Sequence, residues 1–291
     1  MIPGKTETTS RVNRRMLTES VVPVSVIIPC WRCIHTIHRA MQSVVNQTVR
    51  PAEVIIVDDA SGSPTSAVLS RLSRQYNRLL NDGVKVVALA RQSGPALARN
   101  RGWELASHPL LAFLDADDAW HPNKLEIQYA YMNAHSYVAL SGHRTICLKP
   151  GQEPPSLPER WIIKRISAAQ QLIANRFHTR SVMVRRDIPY CFDPAKRAAE
   201  DYLLWTEILC NRLTGIHIDL PLAFAYKPQY GASGLSGDLW KMEKGELDTY
   251  LRLYEKKLIS FSQLVALMPF SFVKYVKRTV VATCRRKQRN S

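Results

Sequence analysis

The feature that most constrains the fold is a regular alternation of strand-like and helix-like segments between about residues 22 and 135. Short apolar runs typical of strands buried inside a parallel sheet occur at 24–29, 53–57, 84–90 and 110–114. Segments with helical spacing of their apolar residues occur at 34–47, 66–80, 95–106 and 122–133. This alternation predicts an α/β fold with a mostly parallel, Rossmann-like sheet flanked by helices.

The second part of the chain has a weaker pattern. A proline-rich loop is predicted at 149–158, a strand at 180–185 and a helix at 200–212. A glycine- and serine-rich loop follows at 231–237 and a helix at 239–257, and 260–281 is either one basic amphipathic helix or a pair of helices. We expect a flexible leader over residues 1–21 and one domain over 22–237. That domain would divide into a nucleotide half at 22–135 and an acceptor half at 136–237. A basic helical tail would occupy 238–291.

Acidic pairs follow two of the predicted strands. Asp58 and Asp59 come after the second strand, and Asp115 and Asp117 come after the fourth. Ligands of parallel sheets bind beyond the carboxyl ends of the strands, so both pairs would face one crevice. A D-x-D pair can hold Mg or Mn together with a diphosphate, and Asp58-Asp59 can accept hydrogen bonds from a base and ribose. The alternative is turn and helix-cap chemistry, in which Asp is common.

Two further motifs have the same ambiguity. Gly94 would let the backbone approach a ligand at a helix N-terminus, which favours anions, and Arg99 could contact phosphate bidentately. The alternative is a tight turn followed by a surface arginine. Glu200 and Asp201 precede an apolar helical run. They are either partners of the helix dipole or a general base that deprotonates an acceptor hydroxyl.

The chain is strongly basic, with a net charge of +16, and no Asp or Glu occurs from Lys256 to the end. Such a balance favours an anionic partner. In the tail the basic residues alternate with aromatic and aliphatic ones, which suits an amphipathic helix on an anionic membrane surface. A tail whose charges are simply solvated is the alternative. Nucleic-acid binding is not favoured, because no helix-turn-helix, RNA-recognition or finger signature occurs.

The six cysteines include one close pair, Cys30 and Cys33, followed by His35 and His38. These are the residue types of a zinc site or a redox pair. We favour free, buried, structural cysteines, because both histidines would lie on one helix and no second pair has finger spacing. The scattered cysteines and the polar N-terminus favour a reducing compartment, the cytoplasm. No run reaches the ~18 apolar residues that span a bilayer.

Taken together, these motifs resemble the family-2 glycosyltransferases, which have the GT-A fold. The matching stretches are VSVIIPCW (24–31), SVVNQTVRPAEVIIVDDASG (43–62), SGPALARNRGWELA (93–106), LLAFLDADDAWHPNKLEIQ (110–128) and AEDYLLWTEIL (199–209). The resemblance covers about residues 22–235. The order and spacing of the five motifs carry it, since each one alone is weak.

The resemblance implies a nucleotide-sugar site on the first half of the chain. Pro29 and Asp59 would line the nucleobase and ribose pocket, with Asp58 beside them. Gly94 and Arg99 would lie near the nucleotide or its diphosphate.

The same resemblance implies the catalytic residues. Asp115 and Asp117 would form the D-x-D that binds Mn or Mg, with Asp117 the more direct ligand and Asp115 also near the nucleotide sugar. Asp201 would be the catalytic base, supported by Glu200. Trp205 would be a wall of the acceptor site.

The implied activity is inverting transfer of a hexose or N-acetylhexosamine from a UDP-sugar to a hydroxyl of a glycan or lipid-linked acceptor. Surface polysaccharide or lipopolysaccharide synthesis, on the inner face of the cytoplasmic membrane, would be the setting. Gln229 stands where many relatives have a His that assists metal or diphosphate binding. This departure leaves a non-catalytic nucleotide-sugar-binding homologue as the alternative.

Overall fold

The computed structural model describes residues 9–13, 20–149, 151–226 and 238–290, with side chains from 20 onwards and up to 283. Its strands are Thr9–Asn13 (β1), Val21–Cys30 (β2), Arg50–Asp58 (β3), Val84–Ala88 (β4), Leu110–Phe113 (β5), Ala119–Trp120 (β6), Val138–Cys147 (β7), Arg160–Ile166 (β8), Met183–Arg185 (β9) and Thr214–Ala225 (β10). Its helices are Ile37–Val45 (α1), Ser63–Asn77 (α2), Pro95–Leu105 (α3), Lys124–Ala134 (α4), Ala168–Ile173 (α5), Glu200–Cys210 (α6), Leu239–Glu255 (α7) and Phe261–Asn290 (α8).

All the described strands join one sheet. Nine of them lie in the order β1-β8-β10-β7-β9-β5-β2-β3-β4, and β6 pairs with β10 beside this row. In the first half of the chain, β5, β2, β3 and β4 are parallel, as the strand–helix alternation predicts. Parallel strands end at a common edge, so the residues that follow β2, β3 and β5 all lie at that edge.

The second half departs from the expected mostly parallel sheet. Outside the β5, β2, β3 and β4 set, only β7 and β10 are parallel, whereas β1, β6, β8 and β9 pair antiparallel with their neighbours. The short strand β9 lies between β5 and β7. Because β9 runs antiparallel to β5, the residues just before Met183 lie beside the carboxyl end of β5. A strand from the second half of the chain thus lies beside the edge at which the first half presents its acidic residues.

Helices cover both faces of the sheet. One apolar cluster packs α1, α2 and α4 on one face through residues such as Met41, Leu69 and Leu125. A second cluster packs α3 and α6 on the other face, with the rings of Trp103, Phe113, Phe192 and Trp205 in contact. The second cluster holds α3 and α6 on the same face of the sheet, and both helices begin near the edge where β2, β3 and β5 end.

Two differences from the expected organisation concern the ends of the chain. Five residues of the expected flexible leader, Thr9–Asn13, form β1 and pair with β8. The tail is helical as expected, but its last helix, α8, is longer than expected, since it continues through Pro269 and ends at Asn290 instead of near residue 281. The loop expected at 231–237 lies outside the described residues. Among the described helices, none combines the length and the apolar character that crossing a membrane requires.

Candidate active site

The acidic motif after β5 lies on a tight turn. All four residues of β5 are buried, and the chain then turns so that the Asp118 N–H donates to the Asp115 carbonyl at 3.0 Å. Asp115 and Asp117 remain partly exposed, while Asp118 is buried. The D-x-D motif therefore does form a turn, as the alternative interpretation proposed, but the turn presents two carboxylates to solvent at the carboxyl edge of the sheet.

Arg99 is the central cation of the site. Its Nη2 donates to Asp115 Oδ1 at 2.8 Å and its Nη1 donates to Glu200 Oε1 at 2.8 Å. The side chain is only 7% exposed and lies over the Phe192 ring. Burial alone would lower the pKa of Arg99, but the two carboxylates raise it above its usual range. The guanidinium thus joins the D-x-D turn to the start of α6, and both of its terminal nitrogens are used in doing so.

Asp201 lies in the first turn of α6, beside Glu200. Asp201 Oδ2 accepts a hydrogen bond from the Thr179 hydroxyl at 3.0 Å, and its Oδ1 accepts one from the Tyr202 N–H at 2.7 Å. Glu200 is buried against Arg99, whereas Asp201 is half-buried. Two donors therefore fix the orientation of the Asp201 carboxylate, and each oxygen still has a lone pair to accept a proton.

Sequence reasoning missed Arg180. This residue was expected in a strand, but it lies in a 3-10 turn, Thr179–Ser181, just before β9. Its Nε lies 2.6 Å from Asp118 Oδ2, and the side chain is 29% exposed. Burial alone would lower the pKa of Arg180, but nearby carboxylates raise it: those of Asp118, Asp115, Asp117 and Asp201. The pairing of β9 with β5 puts it there, and no local motif marks such a residue.

The two arginines set the charge state of the acidic turn. Burial would raise the pKa of the Asp115 carboxyl, but Arg99 and Arg180 lower it below its usual range. Asp115 therefore stays ionised and able to bind a cation. Burial raises the pKa of Asp118 well above its usual range, although Arg180 opposes this. The turn thus carries two different carboxyl groups: that of Asp115 is ionised and partly exposed, and that of Asp118 is buried against Arg180.

The expected nucleotide-side residues lie together at the ends of β2 and β3. Asp59 is buried, and its carboxylate accepts the backbone N–H groups of Ser93 and Gly94 at 2.6 and 2.8 Å. Gly94 precedes α3 with φ +91°, a backbone conformation that favours glycine. Asp59 therefore holds the loop that starts α3. Asp58 accepts the Ser61 N–H at 3.2 Å, which is a turn contact.

Pro29 lies beside these residues, at the end of β2. It pairs with Val57 of β3 in the parallel register, one residue before Asp58. The next residue, Cys30, accepts the Asp59 N–H through its carbonyl at 2.8 Å. The structure thus brings all the expected nucleotide-side residues to one edge, directly beside the D-x-D turn.

The donor set at this edge fits a metal ion that arrives with a diphosphate. Within the described part of the chain, no group of three or more His, Cys, Asp or Glu side chains is placed to hold a metal by itself. Mg and Mn commonly use one or two protein carboxylates and complete their shell with water and substrate phosphates. Asp115 and Asp117 supply two such carboxylates. Gln229, the residue in the usual His position, lies outside the described residues.

The expectation that Trp205 forms a wall of the acceptor site is wrong. Its side chain is fully buried in the core beneath the site, where it contacts Phe113 and Phe192 edge-on or at a tilt. The cause is visible in α6, where every residue from Tyr202 to Leu209 is buried. Beyond its first turn, which carries Asp201, α6 is therefore buried around its whole circumference and leaves Trp205 no surface to offer a substrate.

The expectation of free cysteines at the end of β2 is also wrong. Cys30 and Cys33 form a disulfide, with their Cα atoms 5.6 Å apart. Both residues are buried, as expected, but their sulfur atoms bond to each other. The disulfide closes the short turn that carries Trp31 and Arg32, which are exposed. Cys30 and Cys33 therefore do not act as zinc ligands in the disulfide-bonded protein.

The chain is similar in sequence to known glycosyltransferases. The chain is 28% identical over 265 residues to the putative teichuronic acid biosynthesis glycosyltransferase TuaG of Bacillus subtilis (strain 168), covering 88% of this chain and 96% of that protein. It is 28% identical over 235 residues to the UDP-Glc:alpha-D-GlcNAc-diphosphoundecaprenol beta-1,3-glucosyltransferase WfgD of Escherichia coli, covering 77% of this chain and 84% of that enzyme.

The fold is likewise that of known glycosyltransferases. The mannosyltransferase PcManGT of Pyrobaculum calidifontis, solved with GDP-Man and Mn2+, aligns with a TM-score of 0.61 at 15% identity, over 90% of this chain and 75% of that one. This likeness establishes a GT-A fold. Residues 25–189 match the sequence family described as Glycosyl transferase family 2, and they include the D-x-D turn, Arg99 and Arg180. Because the match covers more than half of the chain, the protein belongs to glycosyl transferase family 2.

Proposed function

We propose that this chain is an inverting, metal-dependent glycosyltransferase that moves a sugar from a UDP-sugar to a hydroxyl of a glycan or lipid-linked acceptor. One observation carries the proposal: Arg99 binds both Asp115 of the D-x-D motif and Glu200, the neighbour of Asp201. The donor-binding motif and the candidate base are thereby held at one edge of the sheet. Direct displacement needs this proximity, because base and leaving group act on opposite sides of one sugar carbon.

In this mechanism Asp201 accepts the proton of the acceptor hydroxyl while the hydroxyl oxygen attacks the anomeric carbon. The bond to the diphosphate oxygen breaks in the same step, so no enzyme nucleophile is required and the configuration inverts. Thr179 holds the Asp201 carboxylate in place through its 3.0 Å hydrogen bond. A metal bound by Asp117 and Asp115 would neutralise the charge that develops on the departing diphosphate.

The donor and acceptor are proposed from the relatives. WfgD, by its name, uses UDP-Glc and a sugar linked to diphosphoundecaprenol, and TuaG is assigned to teichuronic acid biosynthesis. By analogy we propose a UDP-hexose or UDP-N-acetylhexosamine donor and a role in surface polysaccharide or lipopolysaccharide synthesis. A lipid-linked acceptor would place the reaction at the inner face of the cytoplasmic membrane, where the basic tail suits an anionic surface.

Calorimetry with UDP, GDP and dTDP, each with and without manganese, tests this proposal. Of the three nucleotides, we expect only UDP to bind, and only when manganese is present. Asp117→Ala should abolish this binding. Asp187→Ala is the matched control, because Asp187 is an exposed aspartate outside the site. Failure of all three nucleotides to bind the wild-type chain would favour the non-catalytic homologue instead.

A further inference from the structure

The last helix, α8, has one face that packs on the protein. Leu264, Ser271 and Ala282 are buried along this face. Arg278 donates to Glu243 of α7 at 2.6 Å, and Lys274 pairs with Glu246 of α7. Because Glu243 and Glu246 are buried, these ion pairs fix α8 against α7. Lys274 and Arg278, two of the basic tail residues expected to contact an anionic partner, therefore pair with acidic residues of the protein itself.

The opposite face of α8 is apolar and exposed. Val265, Phe272, Val273, Val276 and Val280 are 47–64% exposed. At 100° per residue, these five side chains fall within an arc of about 100° on the side away from Ser271. They form a stripe about 22 Å long, because 15 residues separate the first from the last. We call these five residues the outer stripe. A surface helix normally turns polar residues to solvent, so an apolar outer face indicates a binding surface.

Aromatic residues extend the outer stripe towards the start of α7. The rings of Phe272 and Tyr275 lie 6.0 Å apart, and the rings of Tyr275 and Trp240 lie 5.5 Å apart. Trp240 is itself about half exposed. Trp and Tyr have an apolar body and a polar tip, which suits them to the boundary between lipid headgroups and acyl chains.

The charged residues of α8 itself are all positive. Lys277 is exposed and directly follows Val276 of the stripe. The chain has no Asp or Glu from Lys256 onwards, and its last residues include four basic ones, Arg285, Arg286, Lys287 and Arg289. An apolar stripe on a helix whose own charges are all cationic complements a surface that is apolar inside and anionic at its rim. A bilayer that contains anionic lipid has this chemistry.

We propose that the outer stripe of α8 is the membrane-docking surface of this protein, lying flat in the headgroup region of an anionic bilayer. A second copy of the chain fits this face less well, because pairing two outer stripes would bring together two helices without any acidic residue. This proposal rests on the proposed function, because a lipid-linked acceptor would give membrane docking its biological purpose. The docking itself involves neither donor nor acceptor.

The test is co-sedimentation of the full chain with phosphatidylcholine vesicles, with and without phosphatidylglycerol, in the absence of any nucleotide. We expect binding to the anionic vesicles that weakens at high salt, and at least a tenfold loss of partitioning in Val276→Asp. The matched control is Leu79→Asp, which places the same charge on an exposed leucine far from α8 in the sequence. Leu79→Asp should bind vesicles as the wild type does.

Two outcomes would overturn the inference. One is equal vesicle binding by the wild type and Val276→Asp, or no binding by either. The other is a wild-type dimer in light scattering that Val276→Asp converts to a monomer without any vesicle binding, which would assign the stripe to a second copy. Circular dichroism of Val276→Asp establishes that the chain is folded, and its UDP binding is measured separately. Vesicle binding and the proposed enzymatic function can therefore fail independently.

Discussion

Arg99 and Glu200 form a buried ion pair at 2.8 Å although 101 residues separate them in the sequence. The same guanidinium donates to Asp115, so it holds carboxylates from both halves of the chain. Removing one partner of a buried pair leaves an uncompensated charge, which costs more than the pair itself contributes. Arg99 is therefore a positioning residue on which the D-x-D turn and the start of α6 both depend.

The first prediction concerns this residue. Arg99→Met should lower the free energy of unfolding by about 3–5 kcal/mol, because Glu200 would lose its buried partner. Urea denaturation measures the change. Arg101→Met is the matched control on the same helix: its pair with Glu104 is exposed, and we expect a loss below about 0.5 kcal/mol. Equal losses in the two variants would show that the buried pair has no special role.

The second prediction tests the proposed base. Asp201→Asn should lower sugar transfer by about 10²–10⁴-fold, the range typical for removal of a general base. UDP affinity in the presence of manganese should stay near the wild-type value, since Asp201 acts on the acceptor. Asp187→Asn, at an exposed site, should transfer normally. Near-normal transfer by Asp201→Asn would refute the assignment.

The third prediction concerns Arg180, a partly exposed cation among the carboxylates of the described site. Arg180→Gln should weaken UDP binding at saturating manganese by about tenfold, since it removes a positive charge beside the expected diphosphate position. Calorimetry measures the affinity. Arg176→Gln provides the control, because Arg176 is exposed and lies outside the 3-10 turn. An unchanged affinity would assign Arg180 to the packing of Asp118 alone.

The fourth prediction concerns pH. Burial lowers the pKa of His178 to about 4, and Arg180 adds to this effect. The unfolded chain, whose histidines titrate near 6.5, therefore binds more protons than the folded chain between about pH 4 and 6.5. Stability contributed by neutral His178 is present above pH 6.5 and is lost as the pH falls towards 4.

Urea denaturation of the wild type should thus show a falling free energy of unfolding over this window. His178→Gln should reduce the slope, whereas His35→Gln, at an exposed position, should leave it unchanged. Burial also lowers the pKa of His143 well below its usual range, so part of the slope should remain in His178→Gln. A wild-type stability that does not change between pH 7 and 4.5 would contradict the prediction.

The first half of the fold was predictable because its signals are local. Each parallel strand is a short buried run, each helix has its own apolar face, and the acidic residues follow the strands directly. The second half contains antiparallel pairings between distant segments, and no local pattern encodes them. The insertion of β9 beside β5 is the clearest case, since it joins strands that lie about 70 residues apart in the sequence.

Local signals also determine which residues of the candidate site could be predicted. Asp115, Asp117, Glu200 and Asp201 could be found because they stand next to recognisable strands and helices. The partners of Arg99 could not be predicted, since a guanidinium donates the same kind of hydrogen bonds to a phosphate and to a carboxylate. Arg180 has no motif, and it reaches the site only through the tertiary pairing of β9.

The position of β9 has a consequence for protein engineering. An exchange of the second half of the chain between relatives, cut near residue 136, would replace β9, the strand that pairs with β5. Arg99 would then face a foreign helix in place of the one that carries Glu200. In such a chimera the new strand would have to pair with β5 in register, and the new helix would have to present a carboxylate to Arg99. Acceptor preference should therefore be transplanted through loops outside the sheet, not by exchanging whole segments of the chain.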